Sequence, residues 1–228
     1  KFDGTRTNKN VKGSITGMLP RILEPEVMDT ASEADAYDRM DHHEVNRRFV
    51  DDLLVMLGPL PEGRFPLRCV DVGTGTALIP IELCRRNLPI HVIATDLAEE
   101  MLIRARANVQ AAGFGHMVEL VRADGKGAAG DPRLSPPFDL VISNSIVHHI
   151  PNPDDVFREF VRLAAPGAML FVRDLLRPDS LAERDHLVRI HTEGATDEQR
   201  RLFAESLHAA LTLAEVRQLC RARGWPES

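Results

Sequence analysis

The sequence is poor in the residues that would build a covalent or metal framework. Its three cysteines, Cys69, Cys84 and Cys220, are odd in number and form no C-x-x-C pair. That argues against a disulfide scaffold or a cysteine zinc site and fits buried thiols in a reducing compartment. No apolar run approaches the roughly 18–20 residues of a membrane span. No basic-then-apolar leader is visible, so the default location is cytoplasmic, although a start at Lys1 rather than methionine leaves room for a native start upstream. Positive charge is not in excess either. A formal net charge of −6 gives no general attraction to nucleic acid or an anionic membrane.

What remains is a soluble-type composition over 228 residues, enough for one α/β domain with a sizeable core. Residues 1–30 are polar and broken by glycine and proline, and read as an N-terminal arm. From 31 to 228 the chain reads as a single domain. Thr30 with Glu33 and Asp41 with Glu44 have helix-capping spacing. Val45, Phe49, Leu53, Leu54 and Leu57 then share one helix face, which ends at Gly58-Pro59.

Beyond Pro59 the pattern alternates. Strands are expected at 67–72, 90–95, 117–123, 138–143 and 168–173, with helices over roughly 77–86, from Asp96 to Gly113, and from Asn152 towards Gly167. Met101, Leu102, Ala105, Val109 and Ala112 line one side of the second of these. Such alternation predicts a doubly wound, mostly parallel sheet with helices on both faces. The tail is helical and charged, with capping spacings at Ser180/Glu183, Thr196/Gln199 and Thr212/Glu215, and a lid-like stretch at about 174–212.

In such a sheet, ligands bind outside the carboxyl ends of the strands where strand order reverses. The first of these ends carries "VDVGTGTALIP" (70–80), in which Gly73 and Gly75 would let the backbone approach a ligand. The dinucleotide pattern calls for a third glycine at 78, and that position is Leu78. Asp71 beside the loop would repel a pyrophosphate and attract a cation. Asp96 ends the second strand, where a carboxylate can accept from both ribose hydroxyls. Asp124 ends the third, Asn144 and Ser145 the fourth, and Arg173 and Asp174 the fifth.

This combination points to a positively charged nucleoside cofactor. The stretches "VDVGTGTALIPIEL", "VIATDLAEEML", "VRADG" and "FDLVISNSIVHHI" resemble the four successive cofactor motifs of the class I S-adenosylmethionine-dependent methyltransferases. The resemblance covers roughly 66–173. It extends to "RILEPEVMD" and "VRDLLRP", flanks similar to those of a small, poorly characterised bacterial subgroup. It implies a Rossmann-like fold and S-adenosylmethionine as cofactor, with S-adenosylhomocysteine as product. Asp71, Gly73, Thr74 and Gly75 would hold the methionine part, Asp96 the ribose, Leu97 and Met101 the adenine face, Asp124 the adenine amine, and Asn144 the sulfonium side. Tyr37, the only tyrosine, sits where family members often cover the cofactor. Two departures stand out: Ala77 replaces the family's frequent third glycine, and the usual terminal strand hairpin is absent after Gly224.

The acceptor is not legible. No Asn-Pro-Pro-aromatic motif follows the fourth strand, and with the negative charge this favours a small molecule over nucleic acid. In-line methyl transfer then needs alignment and exclusion of water, and a proton acceptor for a hydroxyl or amine nucleophile. His148, His149 and Asp174 are the candidates for that role. Arg173 and Asp174 either bind substrate or pair with each other. Metal is not expected, because adjacent histidines point in different directions and no third His or Cys lies at ligand spacing. Two other readings stand beside this one: an NAD(P)-dependent oxidoreductase, which Leu78 disfavours, and a cofactor-binding protein without transfer activity.

Overall fold

The computed structural model describes residues 19–24, 29–40, 42–59, 66–126, 131–135 and 137–225. Two helices, α1 (Ala31–Asp38) and α2 (His43–Leu57), precede the sheet. The five strands are β1 (Leu67–Val72), β2 (Ile90–Asp96), β3 (Val118–Arg122), β4 (Phe138–Asn144) and β5 (Ala164–Arg173). All pair parallel, in the order β3-β2-β1-β4-β5. Crossover helices α3 (Leu78–Cys84), α4 (Glu99–Ala111) and α5 (Pro153–Leu163) link them, and α6 (Leu181–His191), α7 (Asp197–Ala209) and α8 (Leu213–Arg221) follow. Strand order reverses between β1 and β4, so a crevice is expected at their carboxyl ends.

An all-parallel sheet has to be covered on both faces, which is why its strands read as nearly continuous apolar runs. Cys69, Val92, Leu140 and Ile142 meet Phe49 and Leu53 of α2, Leu83 of α3 and Val109 of α4 on one side. Val70, Ile93 and Val141 meet Val156, Phe157 and Phe160 of α5 on the other. The register places Val72 opposite Thr95, Asp96 opposite Arg122 and Asn144 opposite Arg173. The loops carrying the candidate site residues therefore open on one edge of the sheet.

Several local expectations change. The last strand begins at Ala164 and not at 168, directly after α5. Pairing moves from Phe138↔Ala164 to Leu140↔Met169, so five residues of β5 advance against two of β4. Gly167, at φ +78, lies within this irregularity. The helix expected from Asp96 begins later, at Glu99, with Ala98 at its N-cap. Asn152 stands at the N-cap of α5, but its amide donates to Asp155 and the cap itself is unmade. Capping at Ser180, Thr196 and Thr212 forms as the spacing predicts, with complete boxes at the latter two. Asp41 and residues 1–18 lie outside the described residues.

Among the described residues no helix is long and apolar enough to cross a membrane, and no strand follows α8. Trp225 packs on Phe157 with ring centroids 6.1 Å apart. Of the tail, α6 has no buried residue, whereas α7 buries Leu207 and Ala209.

Phe49 shows how far α2 depends on its apolar face. It is fully buried and meets Phe171 of β5 edge-on, with centroids 4.9 Å apart. Phe49→Ala is expected to destabilise the fold by about 3–5 kcal/mol in equilibrium urea unfolding, from lost burial plus a cavity. A cost under about 1 kcal/mol would mean that α2 is not docked as described.

Candidate functional site

The loop after β1 is built by its backbone. Gly73 and Gly75 have φ of +77 and +55, a region open to glycine without strain. A Cβ at Gly73 would also lie 2.2 Å from Cγ2 of Ile146, so no side chain fits. The amides of Gly73 and Thr74 both donate to the Thr95 carbonyl, at 2.9 and 2.7 Å. Gly75 N–H donates to Asp96 Oδ2 at 2.7 Å, and Ala98 N–H to Oδ1 at 3.0 Å. The missing third glycine has a structural counterpart in Ala77, which enters α3 in the left-handed region at φ +61 and ψ +25. Alanine there costs about 1–2 kcal/mol, and its fully buried methyl offsets part of that.

Asp71, at the end of β1, is 2% exposed, and its Oδ2 accepts no hydrogen bond. Burial pushes its carboxyl up to about 7, partly opposed by the Thr74 hydroxyl and reinforced by the Asp96 carboxylate. The buried Thr76 hydroxyl is likewise without a partner. These groups line a small cavity of about 20 Å³ together with Tyr37, Asn46, Gly73, Thr74 and Asn144. A buried acceptor without a donor carries a full desolvation cost. An ammonium or sulfonium would relieve it, and a pyrophosphate would not. The residues thus fit a cationic nucleoside cofactor.

The remaining cofactor candidates lie around this loop in different states. Tyr37 of α1 covers it, its Cε1 3.7 Å from where a Cβ of Gly75 would stand, and its ring stacks on His42 at 4.5 Å. Burial raises the Tyr37 phenol, and the Asp96 and Asp71 carboxylates raise it further. Met101 is buried beneath α1 with Ala34 and Ala98, while Leu97 is half-buried. Asn144 reaches the cavity; Ser145 adopts φ +58 and donates its N–H to the Arg173 carbonyl. Asp124 caps its own loop through Lys126 N–H at 2.9 Å, with the Lys126 ammonium 3.7 Å away.

The acceptor-side candidates are arranged differently from the sequence reading. Arg173 and Asp174 do not pair with each other. Arg173 is bound to Asp52 of α2, and its guanidinium lies over Phe49 and Phe171 at 5.4 and 5.8 Å. Asp174 accepts from His148 Nδ1 at 2.5 Å and from the amides of Val147 and Leu175 at 2.6 and 2.7 Å. Nor do the adjacent histidines diverge. On the 3-10 turn Val147–His149 their rings lie 4.2 Å apart and 35° from parallel.

Both rings face Glu24, a residue that sequence reasoning missed. Its Oε1 lies 3.4 Å from His148 Nε2 and 3.1 Å from His149 Nδ1. Its Oε2 accepts from Ser206 of α7 at 3.1 Å. Arg21 was also missed. Its guanidinium donates to the carbonyls of Ala209, Pro151, Val147, His148 and Ile150, at 2.6 to 3.4 Å. Both belong to "RILEPEVMD", but no spacing in the sequence links that segment to residues 147–151.

Comparison with known proteins agrees with this geometry. The family described as "Methyltransferase domain" matches residues 70–172. A ribosomal protein L11 methyltransferase of Rhodopseudomonas palustris is 29% identical over 61% of this chain and 44% of its own length. A ubiquinone biosynthesis O-methyltransferase of Hahella chejuensis is 26% identical over 80% of this chain and 74% of its own. Several curated relatives are longer, and the chain spans about half their length. Among solved structures, the plantazolicin methyltransferase BpumL in complex with S-adenosylhomocysteine has a TM-score of 0.64 and 16% identity, covering 83% of this chain and 67% of that one. The sheet order, the glycine loop and these likenesses lead to one assignment: residues 70–172 match the methyltransferase domain, carried on a fold shared with solved methyltransferase structures.

Proposed function

We propose that the protein transfers the methyl group of S-adenosylmethionine to a small-molecule acceptor. The observation that carries this reading is the buried Asp71 carboxylate, whose Oδ2 lacks a donor and faces a loop open to backbone approach. When bound, the cofactor supplies an electrophilic methyl on a sulfonium. In this reading Asp71, Gly73, Thr74 and Gly75 hold the amino-acid end. Asp96 keeps a free lone pair on each oxygen for the ribose hydroxyls while its amide bonds fix the loop. Leu97 and Met101 form the apolar wall for the base, Asp124 accepts from its amine, and Asn144 with Ser145 borders the reacting side.

The protein's own work is alignment and exclusion of water. Tyr37 covers the loop, and the cavity beneath it has room for about one water. In this reading Tyr37 borders the bound cofactor. The small-molecule assignment is supported by the net charge of −6 and by the absence of the Asn-Pro-Pro-aromatic motif. We assign His148 and Asp174 to positioning, not proton transfer. His148 is 3% exposed and both its ring nitrogens face carboxylates, so no lone pair is open to an acceptor. Arg173 is committed to Asp52, and we assign it to holding α2 on the sheet.

Three measurements test this reading. Calorimetry is expected to show binding of S-adenosylhomocysteine and S-adenosylmethionine but not of NAD; binding of NAD alone would overturn it. Asp96→Ala should weaken binding of S-adenosylhomocysteine by about 1–3 kcal/mol, for lost charged hydrogen bonds and a loosened loop. An unchanged affinity would place the ribose elsewhere.

The third measurement is a pH profile. In the free protein Asp71 titrates at about 7 because it is buried. A bound ammonium favours the carboxylate and lowers that value. Affinity should therefore be full above pH 7 and fall below it, by about tenfold at pH 6. Asp71→Asn should flatten the profile at weaker affinity. A flat wild-type profile would show that Asp71 does not face the cation. Incubation with a labelled methyl donor and fractionated metabolite pools then identifies the acceptor by mass shift.

A further inference from the structure

We propose that Glu24, His148 and His149 form a site for one divalent transition-metal ion, which pins the N-terminal arm to the turn after β4. The three ligand atoms, Glu24 Oε1, His148 Nε2 and His149 Nδ1, all lie within 4.8 Å of one another. Metal–nitrogen and metal–oxygen bonds of about 2.0–2.1 Å put two ligands about 3.3 Å apart in a tetrahedral site and about 2.9 Å apart at a right angle. From Glu24 Oε1, the 3.1 Å separation to His149 Nδ1 falls in that interval and the 3.4 Å separation to His148 Nε2 lies just above it. Glu24 and His148 are each held by a contact outside the cluster, so no ion is needed to bring them together.

Those contacts are the ones a ligand set requires. Asp174 accepts from His148 Nδ1 at 2.5 Å, which orients the ring and leaves Nε2 as the ligand nitrogen. A carboxylate behind a histidine is a recurrent feature of metal sites, since it holds the ring and raises its basicity. Glu24 presents Oε1 with no hydrogen bond, while Ser206 occupies Oε2. Arg21 binds the carbonyls on either side of the two histidines and so fixes the turn that carries them. Two imidazoles and one carboxylate suit zinc, cobalt or manganese better than calcium or magnesium, which favour oxygen ligands.

Such an ion would join three distant parts of the chain. Glu24 lies in the arm, the histidines follow β4, and Asp174 follows β5. It would stand at the carboxyl ends of the two strands whose loops border the acceptor side. The proposal rests on the Glu24 cluster alone and holds whether or not the methyl-transfer reading does.

The test uses the full chain, freed of any affinity tag, stripped with a chelator and titrated with Co2+. Uptake of one equivalent is expected, with visible ligand-field bands and a rise in melting temperature that chelator reverses. Glu24→Gln and His149→Gln should each lose at least about tenfold in affinity, and Asp174→Asn about 10–100-fold. His116→Ala, which alters an exposed histidine outside the cluster, should bind as wild type. No stoichiometric uptake, uptake undiminished in both Glu24→Gln and His149→Gln, or equal loss in His116→Ala would each overturn the proposal. Glu24→Gln keeps size and shape, and circular dichroism of the stripped variant separates loss of the ligand from loss of the fold.

Discussion

The Asp96 carboxylate holds the end of β2 to the loop after β1, and the site depends on that tie. One oxygen accepts from Gly75 and the other from Ala98, so a single side chain sets the loop height and the start of α4. Charge-assisted bonds of this kind are short and directional. Burial works against the carboxylate and the amide bonds work for it, with burial the larger effect. The outcome is a loop tied to β2 and α4, in which the non-glycine Ala77 alone carries the strain of a positive φ. Strain of this sort persists only where surrounding contacts over-determine it.

The parallel sheet explains why such a loop exists here. Each crossover returns the chain to the same end of the sheet, so every strand delivers its last residue to one edge. The residues on that edge need no sequence proximity. Asp71, Asp96 and Asn144 converge because β1, β2 and β4 are neighbours in the sheet order. Asp71 and Asn144 border the small cavity that Tyr37 of α1 also lines. Arg104 pairs with Asp35, and the Asn108 amide donates to Asp38, so α4 holds α1 over the loop.

A second convergence occurs at the ends of β4 and β5, and there the arm enters. Arg21 satisfies carbonyls of a turn whose 3-10 geometry leaves them exposed, and Glu24 meets the imidazoles that this turn presents. Arg177 does similar work for the tail. It is 5% exposed and binds the Ala210 carbonyl and Glu215, which anchors α8 beside β5. Guanidinium groups bound to backbone carbonyls thus hold both irregular segments, Arg21 half-buried and Arg177 buried.

Much of this was legible from residue order. Alternating apolar runs and punctuation located all five strands to within a few residues, except the start of β5, where Ala-Ala-Pro-Gly reads as the end of the preceding helix. The placement of Gly73, Gly75, Asp71 and Asp96 at the strand ends was readable because the geometry there is local: glycine where the loop takes positive φ, carboxylate where a strand meets its loop. The capping boxes at Thr196 and Thr212 were readable for the same reason, since both partners lie within one turn. Arg173 with Asp52, Asp174 with His148, and Glu24 with both histidines were not. Arg21 and His148 are 127 residues apart in sequence, and no periodicity links them. The sequence by itself determined the order of elements, the glycine loop and the carboxylates at the strand ends, because those follow from backbone sterics and side-chain chemistry over a few residues. The tertiary structure alone decided which charged groups meet, since that depends on strand order and on where the arm returns to the sheet.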